Sequence, residues 1–420
     1  MFKKIELNNG LRIVAVPSKN TQAVTVLVLV KVGSKYETKD ISGISHFLEH
    51  MLFKGTKNRP NSLAIAEELD KIGGEYNAFT GEEYTGYYAK VEASSLDLAL
   101  DWVSDIFLNS TLPEKEINKE QGVIIEEINM YFDNPMAHVQ NLWKQVLYGD
   151  QPAGWDIAGT KETVKSISRK ELVNYRKNFY TANQTIVCVA GNIDEKIVEK
   201  VKQYFFNIQK SKEIYKEKVI DTQDNYKSLI FNKKTDQTHL CLGVRGYNLF
   251  HKDKYVLQVL STLLGGMMSS RLFVEVREKL GLAYYVTCMT DFNPDTGFLM
   301  ARAGVDNTKV DKAITAILNE FKKLTTEKVG VKELQKAKDY IKGKTALSLE
   351  PSDALASFYG MQELLQGEIL ETKEIFKKID KVTVDDILRV AKDIFTKDKL
   401  NLALVGPFKQ DEFEKPLKEF

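Results

Sequence analysis

Three short segments of this chain recur, in the same order and at almost the same distance. The strand-like "VLVKVGS" corresponds to "LGVRGYN" when Gly33 meets Gly246, a shift of 213. "FDNPMAH" and "SLEPSDA" match at Pro135 and Pro351, a shift of 216. "CVAGNI" matches "ALVGPF" at Gly191 and Gly406, a shift of 215. Three matches in order at similar shifts argue for a duplicated domain.

Each copy mixes strands and helices. "KKIELNNGLRIVAVP" reads as a hairpin whose Asn-Gly suits a type I′ turn, followed by the strand "AVTVLVLVKVGS". Next come a helix carrying "HFLEH", a helix "NSLAIAEELDKI", the strands "GGEYNAFTG" and "TGYYAKVEA", and helices Leu96–Leu108 and Glu114–Tyr131. The apolar strand "QTIVCVAGNID" closes the copy. Strict βα alternation is absent, so the expected class is α+β, with two duplicated domains that each layer helices on a mostly antiparallel sheet. "NIQKSKEIYKEKVIDTQDNYKS" has no apolar periodicity and reads as a linker, which sets the domains at 1–206 and 229–420 with the linker at 207–228.

Composition narrows the function. The 420 residues carry 59 Lys plus Arg against 58 Asp plus Glu, which offers no case for nucleic acid or an anionic membrane surface. Cys188, Cys241 and Cys288 stand far apart in apolar surroundings and read as core residues in a reducing compartment. No segment has the length and apolarity of a signal or membrane span, so a cytoplasmic chain is expected.

The run "ISGISHFLEHMLFKGT" carries the chemistry. On a helix, His46, Glu49 and His50 share one face while Ile44, Leu48, Met51 and Leu52 supply the opposite, apolar side. Two imidazoles at this spacing can bind one Zn²⁺, and the carboxylate between them can take a proton from an activated water. With five histidines in the chain, chance predicts fewer than about 0.01 such His-x-x-Glu-His patterns. A catalytic zinc wants a third protein ligand. The helix "PEKEINKEQGVIIEEINMYFDNP" offers Glu120 and Glu127 on one face two turns apart, with Glu126 about 100° away from Glu127. Glu127 borders the apolar residues Ile124, Ile128 and Tyr131, which favours it as the ligand.

"HFLEHMLFKGT", with "EQGVIIEEI" placing Glu127 77 residues past His50, resembles the pitrilysin-type zinc metallopeptidases, which include insulin-degrading enzyme and the mitochondrial processing peptidase. The resemblance spans essentially the whole chain. It implies one zinc per chain held by His46, His50 and Glu127, Glu49 as general base, and Glu120 near the site as an orienting group. "GGEYNAFTGEEYTGYY" resembles the family's edge strand, so Asn77 and Ala78 would bind a substrate backbone. "LLGGMMSSRLFVEVREKLGLAYYV" resembles its C-terminal segment, where Arg277 and Tyr284 match a substrate-binding pair. Aligning Gly74 with Gly281 sets Tyr284 opposite Asn77. In the second copy "VLQVLSTLLGGM" occupies the place of the zinc helix without His or Glu.

The expected function is a zinc endopeptidase acting on short or unfolded peptides. Because larger relatives close four such domains around a chamber, a homodimer is expected, with Arg277 and Tyr284 facing the zinc of the other subunit. The alternatives are a non-catalytic structural subunit like the family's respiratory-complex core proteins, or a peptide-binding module.

Overall fold

The computed structural model describes residues 2–212 and 214–420. Its first sheet is built from β1 (Lys3–Glu6), β2 (Arg12–Pro17), β3 (Ala23–Val30), β4 (Glu75–Thr80), β5 (Thr85–Glu92) and β6 (Thr185–Gly191), in the order β1-β2-β6-β3-β5-β4. The second comprises β7 (Lys227–Asn232), β8 (Gln237–Arg245), β9 (Ala283–Phe292), β10 (Gly297–Asp306) and β11 (Leu400–Gly406), in the order β7-β11-β8-β10-β9. Strand for strand the second sheet repeats the first without β1. Each has one parallel pair, β2 with β6 and β7 with β11, and is otherwise antiparallel. This is the duplicated α+β architecture that the repeat predicts.

Sheet register corrects two details of the repeat. Cys188 lies opposite Leu27, which lies opposite Tyr88, which lies opposite Asn77. The same walk from Ala403 runs through Cys241 and Arg302 to Thr287. Thr287, not Tyr284, is therefore the counterpart of Asn77. Loops of unequal length precede β4 and β9, so an alignment anchored on a glycine before the strand slips. Leu27 and Cys241 are 214 apart, one more than the Gly33–Gly246 spacing, and a slip of one in a strand exchanges its two faces.

The β1–β2 connection is also not type I′. That turn needs positive φ at both central residues, yet among the described residues Leu112 alone of the non-glycines has positive φ. Instead Gly10, at φ 88°, closes a three-residue loop in which its N–H donates to Leu7 O and Leu7 N–H donates to Leu11 O.

Two helices exchange halves. The helix Pro135–Tyr148, numbered in the first copy, buries Val139, Leu142, Trp143 and Leu147 against Cys241, Met300, Ala403 and Val405 of the second sheet. Its partner in the repeat, Ser352–Gln366, packs Ala356, Tyr359 and Leu364 on Val14, Leu27, Leu29 and Cys188 of the first. A side chain at Gly360 would meet Leu29 Cδ1 at 2.9 Å, so glycine is what lets this helix sit so near the sheet. The compact units accordingly cut across the numbering: residues 1–128, 156–217 and 346–369 form one, and 129–155, 218–345 and 370–420 the other. The segment read as linker holds that boundary, but its last two residues, Lys227 and Ser228, open β7.

The opposite face of the first sheet carries a core that includes Val26, Val28, Phe47, Leu48, Met51, Trp102 and Phe107. Cys188, Cys241 and Cys288 are buried and unbridged. Among the described residues no helix is long and apolar enough to cross a membrane.

Candidate metal centre

The motif helix runs over Ile44–Leu52. Ile44, Phe47, Leu48, Met51 and Leu52 are buried in the core just described, which turns His46, Glu49 and His50 to the one face left half-open. Gly43 stands at the N-cap with φ 95°, and a Cβ there would meet Ala158 O at 2.6 Å. Glycine brings no capping side chain, so the cap comes from elsewhere. The buried Glu37 carboxylate accepts from Gly43 N at 2.7 Å and Ser45 N at 2.8 Å. Burial pushes the Glu37 carboxyl up to about 7, although the two backbone donors act in the opposite direction.

The helix Glu114–Asp133 supplies the facing carboxylates. It buries Ile117, Glu120 and Ile124, leaves Glu126 exposed, and brings Glu127 to the histidine pair; Tyr131, expected on the apolar side, is exposed. His46 Nε2 and His50 Nε2 lie 3.2 Å apart, and Glu127 Oε2 is 3.6 Å from the first and 3.5 Å from the second. A tetrahedral zinc with ligands about 2.0–2.1 Å away would separate those ligands by about 3.3–3.4 Å. The observed edges, 3.2, 3.5 and 3.6 Å, bracket that separation. The triangle consists of two ring nitrogens and a carboxylate oxygen, all acceptors when unprotonated, and such a set repels itself unless a cation or a shared proton lies among them.

Protonation at this cluster follows from the neighbours. Burial, and then His50, lowers His46 to about 4. Burial acts the same way on His50, but the hydrogen bonds to Glu120 and Glu127 outweigh it and raise the group to about 9. The His50 bond holds Glu127 below the usual carboxylate range against burial. Glu120 is buried too, yet His50 and Lys54 hold it low.

Glu120 Oε2 accepts from His50 Nδ1 at 3.0 Å, and its Oε1 meets Lys54 Nζ at 2.6 Å. Because an ionised Glu120 only accepts, Nδ1 of His50 carries a proton whether the ring is neutral or charged, and Nε2 is the nitrogen left for a cation once its own proton is lost. Glu49, on the same face, accepts a hydrogen bond at Oε2 from Thr80 Oγ1, and burial raises its carboxyl despite that bond.

Ala78 and Thr80 alternate on the helix side of β4, while Asn77, exposed, uses its Oδ1 to accept from Ala78 N at 2.9 Å. β4 is the last strand of its sheet, so no strand pairs with its outer edge among the described residues. Arg277 and Tyr284 come together in the other unit. The Arg277 guanidinium lies 4.7 Å from the Phe273 ring centre and 6.0 Å from that of Tyr284, which is 75% exposed. The two line a surface cavity of about 530 Å³ with Asp236 and Lys309. Sequence reasoning passed over Glu37, Lys54 and Thr80. Alternation along "NAFT" carries a weak signal for Thr80; Glu37 leaves none, because its partners are backbone N–H groups.

Comparison with known proteins gives a consistent picture. Residues 12–161 match the family described as Insulinase (Peptidase family M16), and residues 166–341 match Peptidase M16 inactive domain. The chain is 38% identical to an uncharacterized zinc protease of Bacillus subtilis, over 97% of this chain and 98% of that one. It is 33% identical to another from Streptomyces coelicolor, over 98% and 90%. Among solved structures, a protease from Helicobacter pylori superimposes with TM-score 0.92 at 27% identity, covering 97% of this chain and 99% of that one.

Proposed function

The chain belongs to peptidase family M16, and from that premise we propose that it is a zinc-dependent endopeptidase of short or unfolded peptides. The observation that carries this reading is the 3.2–3.6 Å triangle of His46, His50 and Glu127 with Glu49 on the same helix face. One zinc per chain would be held there, polarising the scissile carbonyl and acidifying water.

This chain's residues supply the rest. Glu49, anchored at Oε2, accepts a proton at Oε1 and returns it to the departing amine nitrogen. Glu120 and Lys54 keep His50 in the tautomer that leaves Nε2 free. An extended peptide adds to the outer edge of β4 at Asn77 and Ala78, binding through main-chain hydrogen bonds that demand little of its sequence. Arg277 and Tyr284 can both donate to a peptide carbonyl oxygen, and in a homodimer they would serve the centre of the other subunit.

Metal analysis with a peptide-cleavage assay tests the reading. The parent should hold one zinc and cut unstructured peptides, and Glu49→Gln should keep the zinc and lose cleavage. A parent without stoichiometric metal, or a Glu49→Gln variant that cuts as fast as the parent, overturns it in favour of a peptide-binding or structural role.

A further inference from the structure

Thr80 is the last residue of β4. Its hydroxyl donates to Glu49 Oε2, joining the strand that offers its edge to a peptide with the carboxylate that must move a proton. A glutamate has three side-chain torsions, and the motif helix fixes none beyond the first. Thr80 is β-branched on an ordered strand, so its own χ1 is stiff. Across β4 it pairs with Thr85, whose Oγ1 donates to Val32 O at 2.9 Å and ties that end of the hairpin down. Among the described residues no other side chain donates a hydrogen bond to Glu49.

We propose that Thr80 is a positioning residue for the proton transfer: by holding Oε2 it aims Oε1 at the reacting centre. It also makes the aim depend on the strand the substrate joins, since Ala78 and Thr80 are alternate residues on one face. This rests on the peptidase reading. Loss of the hydroxyl leaves the metal triangle and the strand edge intact and removes only the aim of the base, so the loss falls on kcat and spares KM.

The test is steady-state cleavage of one unstructured peptide by the parent, Thr80→Val and Thr80→Ser, with zinc content measured on each. Thr80→Val keeps the shape without the hydroxyl. It should lower kcat roughly 10- to 100-fold with KM within about twofold and zinc unchanged, and Thr80→Ser should recover most of kcat. Thr80→Val with the parent's kcat overturns the proposal, as does a raised KM at unchanged kcat or a Thr80→Ser as slow as Thr80→Val. A parent that cuts no peptide overturns the peptidase reading instead and takes this inference with it, so the two failures are told apart by the parent alone.

Discussion

After its third strand the first half places the helix Ile44–Leu52, and the second half places Lys254–Ser261, which continues as a π-helical turn over Thr262–Gly266. Both press an apolar side into a core: Ile44, Phe47, Leu48 and Met51 in one, Val256, Leu257, Leu260 and Leu264 in the other. Both have a carboxylate at the start. Glu37 is spent on the backbone N–H groups of its helix, whereas Asp253 is held by Arg389 at 2.7 and 2.8 Å and caps nothing. What differs is the face turned away from the core, which bears His46, Glu49 and His50 in one copy and no His or Glu in the other. Packing needs only the apolar side, so the polar face is free to carry chemistry or to lose it. The scaffold and the centre are separable.

The largest expected effect would break that separation if it failed. His50→Ala should take zinc from one per chain to none while far-UV circular dichroism stays that of the parent, because His50 adds little to the buried side. Collapse of the fold on losing the ligand would show that metal and scaffold are one unit. Next comes the exchanged helix. Trp143, 1% exposed, should cost about 3–5 kcal/mol as alanine, and the loss of hydrogen-exchange protection should fall on β8 and β11 rather than β3 and β6. Protection lost in β3 and β6 instead would mean that the numbering, not the packing, defines the units.

The carboxylate that caps the motif helix can be tested by pH. Glu37 titrates at about 7 when folded, above its ordinary 4.5, so its contribution to stability is full below about 4.5 and fades as pH rises through 7. Relative to Glu37→Gln, the parent should therefore lose on the order of 3 kcal/mol between those pH values, read from urea midpoints. A difference that stays flat with pH would place Glu37 outside the titrating groups. The smallest effect concerns Glu120. Glu120→Gln should weaken zinc, measured by competition with a chelator, roughly 10- to 100-fold without abolishing it. An unchanged affinity would confine Glu120 to pairing with Lys54.

Legibility followed sequence distance. His46, Glu49 and His50 could be grouped because one helical turn relates them, and Glu127 could be singled out because burial of Ile124 orients its helix. Thr80 and Glu49 are 31 residues apart, Glu120 and His50 70, and no local period links either pair. The Gly74–Gly281 alignment misplaces Tyr284 for a related reason: a repeat can be read through strands, but loop lengths before β4 and β9 decide the register, and Thr287 holds the position.

From its sequence alone this chain is a duplicated α+β protein with a two-histidine, one-carboxylate helix face in one copy only, since hydrophobic period and residue spacing act within a segment. The tertiary structure alone decided that Glu37 caps the motif helix, that Thr80 reaches Glu49, and that the helices Pro135–Tyr148 and Ser352–Gln366 each cover the other copy's sheet. The reason is physical. A buried carboxylate, a hydroxyl or an apolar helix face needs a partner, and which one it meets depends on how distant segments pack rather than on its own neighbours in the chain.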